Sequence, residues 1–379
     1  MNLMLANYNF IYISNQLLGK FMKTAILILI VSIISLSCAD TKNTPKKDII
    51  VNENLLKDIA EVRIIPFYND YINSLELLKS NFESLLIDNS ITNLDVLKDS
   101  YINSYIKWQY VAAFEIGKAK ELTLRSRTNI YPIDSEIIDS NINSGNYNLE
   151  DISNISSRGF PALDYLLYSK SNEETIGLLN NSNYSNYIKD IINELLSKTN
   201  EVKNDWDSGY KDTFKNNNGT DLGSSLSIFI NAIIKYYEEN IRSAKIATPS
   251  GQRSDYGLIL PKSTESFYAG KSLELLKESI ESYKTFFQEE GKYRINDYLI
   301  SINAKDVDGN NLNETINAQL VKITSVINKI DGPINIAIST QKELIAEVYN
   351  ELQYLVKIIK VDMIRELSVQ VNFLDNDGD

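Results

Sequence analysis

Apolar residues recur at three- and four-residue steps through most of the chain beyond residue 52, the spacing of a buried stripe on an α-helix. Within 52–88, Tyr68, Tyr71, Leu75, Leu78, Phe82 and Leu85 form one such seam, and Pro66 predicts a kink or a break ahead of it. A second helix is expected over 94–122, with Tyr101, Tyr105, Trp108 and Phe114; a further one over 187–214 carries Trp206. After the polar run 215–221, where Asp221 is the expected helix cap, the pattern resumes over 222–246. Ser263 reads as the cap of a helix with Leu273, Leu276, Ile280, Tyr283 and Phe287 in register. The last two helices are expected over 313–330 and 340–371, separated by Gly332-Pro333. Residues 126–147 and 248–262 read as irregular connectors.

Between the first helices and the polar break stands a short apolar element, 158–169, reading RGFPALDYLLYS. Pro161 suits a first helical turn, where its missing N–H has no partner to lose. Leu163, Leu166 and Leu167 then supply a buried stripe, with Asp164 expected in the first turn, where the helix dipole favours a carboxylate. The helix count predicts an all-α protein of two four-helix bundles packed side by side, 51–216 and 217–379.

The start of the chain predicts an address rather than a fold. Residues 1–21 show no structural pattern and read as a non-native extension before Met22. Residues 22–38, with Lys23, the apolar run from Ala25 to Val31 and small residues before Cys38, have the three parts of a secretion signal. The run is shorter than the roughly 20 residues of a membrane span. Ser35-Leu36-Ser37-Cys38 resembles a bacterial lipobox, which makes the only cysteine a lipidation site and 39–50 a tether. With Ala39 after the cysteine, the expected location is the cell envelope, on the outer membrane.

Of 379 residues 43% are hydrophobic, enough for sizeable cores. A net charge of −12 argues against nucleic acid as a partner, because phosphate binding needs a clustered positive field. The 23 tyrosines read as packing at the edges of helix bundles. There is no histidine, so a metal would have to rely on oxygen ligands.

Four separated blocks resemble one family. Gly159, Phe160, Ala162, Leu163 and Tyr165-Leu166-Leu167 are similar to the signature helix of the imelysin-like proteins, as are KWQYVAAFEIG at 107–117, the block 265–272 and the terminus 367–379. The family motif is G-x-H-x-x-E, whose histidine and glutamate are the proposed metal-binding pair; this chain has Pro161 and Asp164 in those places. The resemblance implies a duplicated all-helical fold, a link to iron acquisition and classification with the M75 peptidases. It makes Asp164 the candidate metal ligand, for iron or another divalent ion. Asp164, Arg158, Glu115, Glu265, Ser266 and Ser272 become the candidate lining of a cleft between the bundles, with Arg125, Arg127 and Asp134 as further polar residues of the same blocks. Arg158 is expected beside the motif carboxylate, where a cation would keep it ionised or bind an anionic ligand.

Three functions follow from this reading. The first is a non-catalytic lipoprotein that captures a ligand or metal complex near components of an iron-uptake transporter. The others are a metallopeptidase working on carboxylate ligands and a partner-binding scaffold that has lost its metal site. Gly270-Lys271-Ser272 is no phosphate loop, since Glu265 stands where its earlier glycine belongs. Lys305 to Asn310 and the acidic 375–379 lack the distal glutamate of a calcium loop and read as polar turns.

Overall fold

The computed structural model describes residues 53–254, 256–288 and 294–371. The expected leader, Cys38 and tether lie outside the described residues, as do Asp375, Asp377 and Asp379. Among the described residues there is no strand, only an isolated bridge between Lys305 and Asn311. No helix among them is long and apolar enough to cross a membrane.

Nine principal helices carry the architecture. Helix α1 (53–87) contains a π-helical turn, Ile59–Ile64, immediately before Pro66. The ladder thus widens ahead of the proline and runs on, where the sequence led us to expect a kink or a break. Helix α2 is Ile91–Val111, α3 Ser135–Ser144, α4 Gly159–Tyr168 and α5 spans 182–216. Then come α6 (225–250), α7 (Ser272–Gln288), α8 (Leu312–Ile327) and α9 (342–367). Helix α1 packs on α2 and α5, and α4 packs on α5; α6, α7, α8 and α9 close a second bundle, and α7 lies against α2 to join the two. Every described helix falls within one compact unit, Ile49–Asp379.

The predicted seam of α1 is wholly buried. Tyrosines lie deeper than expected: Tyr68, Tyr71, Tyr101, Tyr105, Tyr187, Tyr237 and Tyr283 are core residues, not edge residues. Several buried hydroxyls donate to carbonyls of other elements, Tyr184 to Leu166 at 2.5 Å, Tyr187 to Ser157 at 2.6 Å and Tyr237 to Leu352 at 3.2 Å. Each such bond satisfies a polar tip that burial would otherwise leave unpaired.

Four boundaries differ from expectation. Helix α2 stops at Val111, before a loop leading to Gly117 at φ 54°, whose added Cβ would lie 2.6 Å from the Tyr210 ring. The connector 126–147 contains α3, because the Asp134 side chain accepts from the N–H groups of Glu136 and Ile137. Ser224, not Asp221, is the N-cap of α6. The block from Glu265 to Lys271 is a turn rather than a helix opening: Ser266 at φ 50° and Gly270 at φ 67° lie in the left-handed region, and α7 starts at Ser272.

Within α6, twelve residues, Tyr236–Ala247, are π-helical. That winding brings Glu238, Arg242 and Lys245 to buried positions. Glu238 pairs with Arg242 at 2.9 Å and with Lys360 of α9 at 3.0 Å.

Candidate functional site

The motif helix owes its seat to its first residue. Gly159 has φ 71°, and a Cβ there would come within 2.2 Å of the Thr128 carbonyl oxygen, so only glycine lets α4 start against the turn Leu124–Thr128. Phe160 then stacks on Tyr105, with ring centroids 4.4 Å apart and planes at 10°, and sits edge-on to Tyr101 at 5.9 Å. These contacts fix the turn that follows, on which Asp164 stands.

Asp164 lies past the first turn of α4 and is 2% exposed. Its stabilisation comes from three donors of the second bundle and one of α2, not from the helix dipole the sequence suggested. The backbone N–H of Tyr268 donates to Oδ2 at 2.7 Å. Oδ1 accepts from the N–H of Ala269 at 3.0 Å, the Ser266 hydroxyl at 3.2 Å and the Tyr101 hydroxyl at 3.4 Å. Oδ1 is thus fully engaged and Oδ2 holds one donor, with the Tyr101 proton shared between Oδ1 and the Phe160 carbonyl at 3.3 Å. Burial nevertheless outweighs them and pushes the acid up to about 6.

A small cleft, with about 60 Å³ open to the centre of a water-sized sphere, opens beside this carboxylate. Tyr131, Pro132, Ile133, Ser135 and Pro161 line it from the first bundle, and Lys262, Thr264, Ser266, Phe267 and Tyr268 from the second. The Tyr131–Pro132 peptide is cis.

Behind the cleft lies a second polar centre. Glu265, 1% exposed, forms a close ion pair with Lys245 of α6. Its Oε1 accepts from Asn129 at 2.7 Å and from Gln109 at 3.2 Å. The Gln109 carbonyl oxygen accepts in turn from Lys245 at 3.1 Å and Ser279 at 2.9 Å, and Tyr105 donates to Asn129 at 2.5 Å. Burial pushes the Lys245 ammonium down, against the opposing pull of Glu265.

The remaining expected site residues stand elsewhere. Arg158 is not beside Asp164: from its extended N-cap position its guanidinium donates to the Leu149 carbonyl and faces Glu194 at 3.7 Å, next to Arg127. Glu115 accepts from the backbone N–H of Arg125 at 3.2 Å and pairs with its side chain at 3.4 Å. The Ser272 hydroxyl accepts from the N–H of Ile334 at 2.9 Å, a buried bond that fixes the chain after Gly332-Pro333. Of the six residues expected to line one cleft, Asp164 and Ser266 do so, while Glu265 lies one layer behind. Asp306 closes its turn through the N–H groups of Asp308 and Asn310 and the Thr315 hydroxyl.

These residues do not fit a metal at the motif. A cation needs several convergent lone pairs, and both oxygens of Asp164 are engaged by N–H or O–H donors, while Glu265 faces an ammonium. Among the described residues no three histidine, cysteine, aspartate or glutamate side chains stand together where they could hold a metal ion. The partners that sequence reasoning missed are Tyr101, Gln109, Asn129, Lys245, Lys262 and the loop N–H groups. Gln109 lies inside the block 107–117, the one signal that could have singled it out.

Comparison with known proteins places this architecture. Its fold is similar to that of an imelysin-like protein from Psychrobacter arcticum 273-4, at TM-score 0.64 and 17% identity, with 85% of this chain and 98% of that chain covered. It is also similar to a protein assigned as an iron-regulated protein A precursor from Parabacteroides distasonis ATCC 8503, at TM-score 0.68 and 18% identity, covering 83% and 94%. No match was found among curated proteins. The sequence profile described as imelysin, peptidase M75, matches residues 64–359, and the chain therefore belongs to the imelysin family.

Proposed function

We propose that this protein is a non-catalytic binding member of the imelysin family, held at the cell envelope by a lipid on Cys38, that captures a ligand of iron acquisition in the cleft beside α4. The observation that carries this reading is the lining of that cleft, contributed by both bundles around the motif helix. Membership of the imelysin family and the iron-regulated designation of the Parabacteroides relative support the iron connection. Asp164 serves in it as the bolt between α4 and the loop 264–271, not as a metal ligand, since its oxygens already hold that loop.

A metallopeptidase would need a metal-bound or base-activated water. Its donor set is the one that fails to fit here, so the binding reading stands ahead of it. Titration of the purified protein with ferric ion, divalent ions and iron complexes tests the proposal, followed by quenching of tyrosine fluorescence. Binding of an iron complex is expected, with bare ions behaving alike towards wild type and Asp164→Asn. Silence towards every iron complex would sink the reading, and metal-dependent casein cleavage abolished by Asp164→Asn would replace it with the peptidase.

A further inference from the structure

The charges around the cleft are unevenly matched. Asp164 is met by four donors, and Glu265 behind it by Lys245, Asn129 and Gln109. Asp134, at the head of α3, accepts from two N–H groups of its own helix, and Asp139 accepts the Tyr165 hydroxyl at 3.1 Å. Lys262 is the only cationic side chain lining the cleft; it is exposed and has no ion-pair or hydrogen-bond partner among the described residues. The hydroxyls of Tyr131 and Ser135 also line the cleft without a partner among those residues. Burial and the nearby Glu265 push the Tyr131 phenol well up, so it remains an O–H donor at physiological pH. Apart from Asp164, Thr264 and Ser266, whose polar groups are already engaged in hydrogen bonds, the other walls are apolar or aromatic, from Pro132, Ile133, Pro161, Phe267 and Tyr268.

Unmatched donors and one unmatched positive charge, set in a half-apolar cavity, describe a site for a negatively charged group carried on a small organic body. We propose that the cleft binds a small organic anion, its charged group on Lys262 with the hydroxyls of Tyr131 and Ser135, and its apolar part against Phe267, Tyr268 and Pro161. The inference rests on the capture of a ligand in this cleft and names that ligand's chemical class. The cleft is small, with about 60 Å³ open to the centre of a water-sized sphere, which excludes a folded peptide or a nucleic-acid strand.

Four single-ring probes of matched shape separate charge from fit: benzoate, phenyl phosphate, benzyl alcohol and benzylamine, titrated into the whole protein and followed by ligand-observed NMR. Benzoate or phenyl phosphate should bind at least about tenfold tighter than benzyl alcohol, and benzylamine weakest of all, a preference that corresponds to one good charge-assisted contact. Comparing the two anions shows whether the charged group is a carboxylate or a phosphate. Lys262→Met, at an exposed position that leaves the core untouched, should remove the anion preference while helical circular dichroism and benzyl alcohol binding stay as in wild type. Raising salt from 20 to 200 mM should weaken the anions and leave the alcohol unchanged. The proposal is overturned if benzylamine binds as well as benzoate, if Lys262→Met retains the anion preference, or if none of the four probes binds. Iron-complex binding that persists in any of these cases keeps the capture reading and removes only the anion class.

Discussion

Asp164 and Glu265 are buried in the same junction, yet the first is surrounded by neutral donors and the second faces an ammonium. Neutral donors leave the acid of Asp164 raised to about 6, within reach of physiological protonation. An ion pair in the same surroundings locks both partners, because removing either leaves the other charged and dry. One centre thus holds the motif helix with hydrogen bonds that tolerate a proton, while the other is an ion pair of the second bundle to which Gln109 and Asn129 of the first are hydrogen-bonded.

That contrast breaks most easily at the ion pair. Lys245→Met should destabilise the protein by about 3–5 kcal/mol in thermal or urea unfolding, and the double variant with Glu265→Gln should recover a good part of it. A double-variant loss equal to the sum of the Lys245→Met and Glu265→Gln losses would mean that the charges are not coupled. Gly159→Ala, which forces a Cβ against the Thr128 carbonyl in a left-handed conformation, should cost about 3 kcal/mol by the same measurement.

Asp164→Asn replaces one acceptor oxygen by an NH₂ facing N–H donors and should cost about 2 kcal/mol at pH 7. Its pH dependence is the sharper measurement. Because the native state holds a proton more tightly than the unfolded chain, this residue's contribution rises as pH falls from about 6 towards 3.8 and is lost as pH climbs through 6. The gap between wild type and variant should therefore widen by about 2 kcal/mol between pH 7 and pH 4. Only the difference is informative, since Glu61, Glu150 and Glu351 are shifted downward and favour folding in the opposite direction of pH. A constant gap would show that the donors hold Asp164 as firmly as charge holds Glu265. The smallest effect is expected from Ser272→Ala, about 1 kcal/mol of stability with the cleft's ligand affinity unchanged, as befits a hydroxyl that only satisfies the Ile334 N–H.

The helices were legible because burial imposes a periodic pattern on local sequence, and the seam from Tyr68 to Leu85 lies where that pattern put it. Gly159 and Pro161 likewise announced a helix start through local backbone rules. What the junction contains was not legible, since its bonds join residues far apart in the chain: Gln109 to Glu265 spans 156 positions and Ala269 to Asp164 spans 105. Neighbourhood in sequence even misled, for Arg158 is six places from Asp164 yet reaches towards Leu149 and Glu194. The turn at 265–271 was hidden for a different reason. Its apolar spacing suits a helix, and the left-handed residues that prevent one are a serine and a single glycine.

The wide winding of α6 has a consequence for how this chain could change over generations. A π-helical turn holds about one residue more than an α-helical one, so trimming a single position from 236–247 would tighten part of that stretch towards α-helical winding and change the faces on which its residues stand. Lys245 would swing off its partner and the helix's apolar side would turn with it. Length in that stretch is therefore constrained more tightly than identity: substitutions at its half-buried positions leave the geometry intact, whereas one lost codon displaces the buried charges it carries.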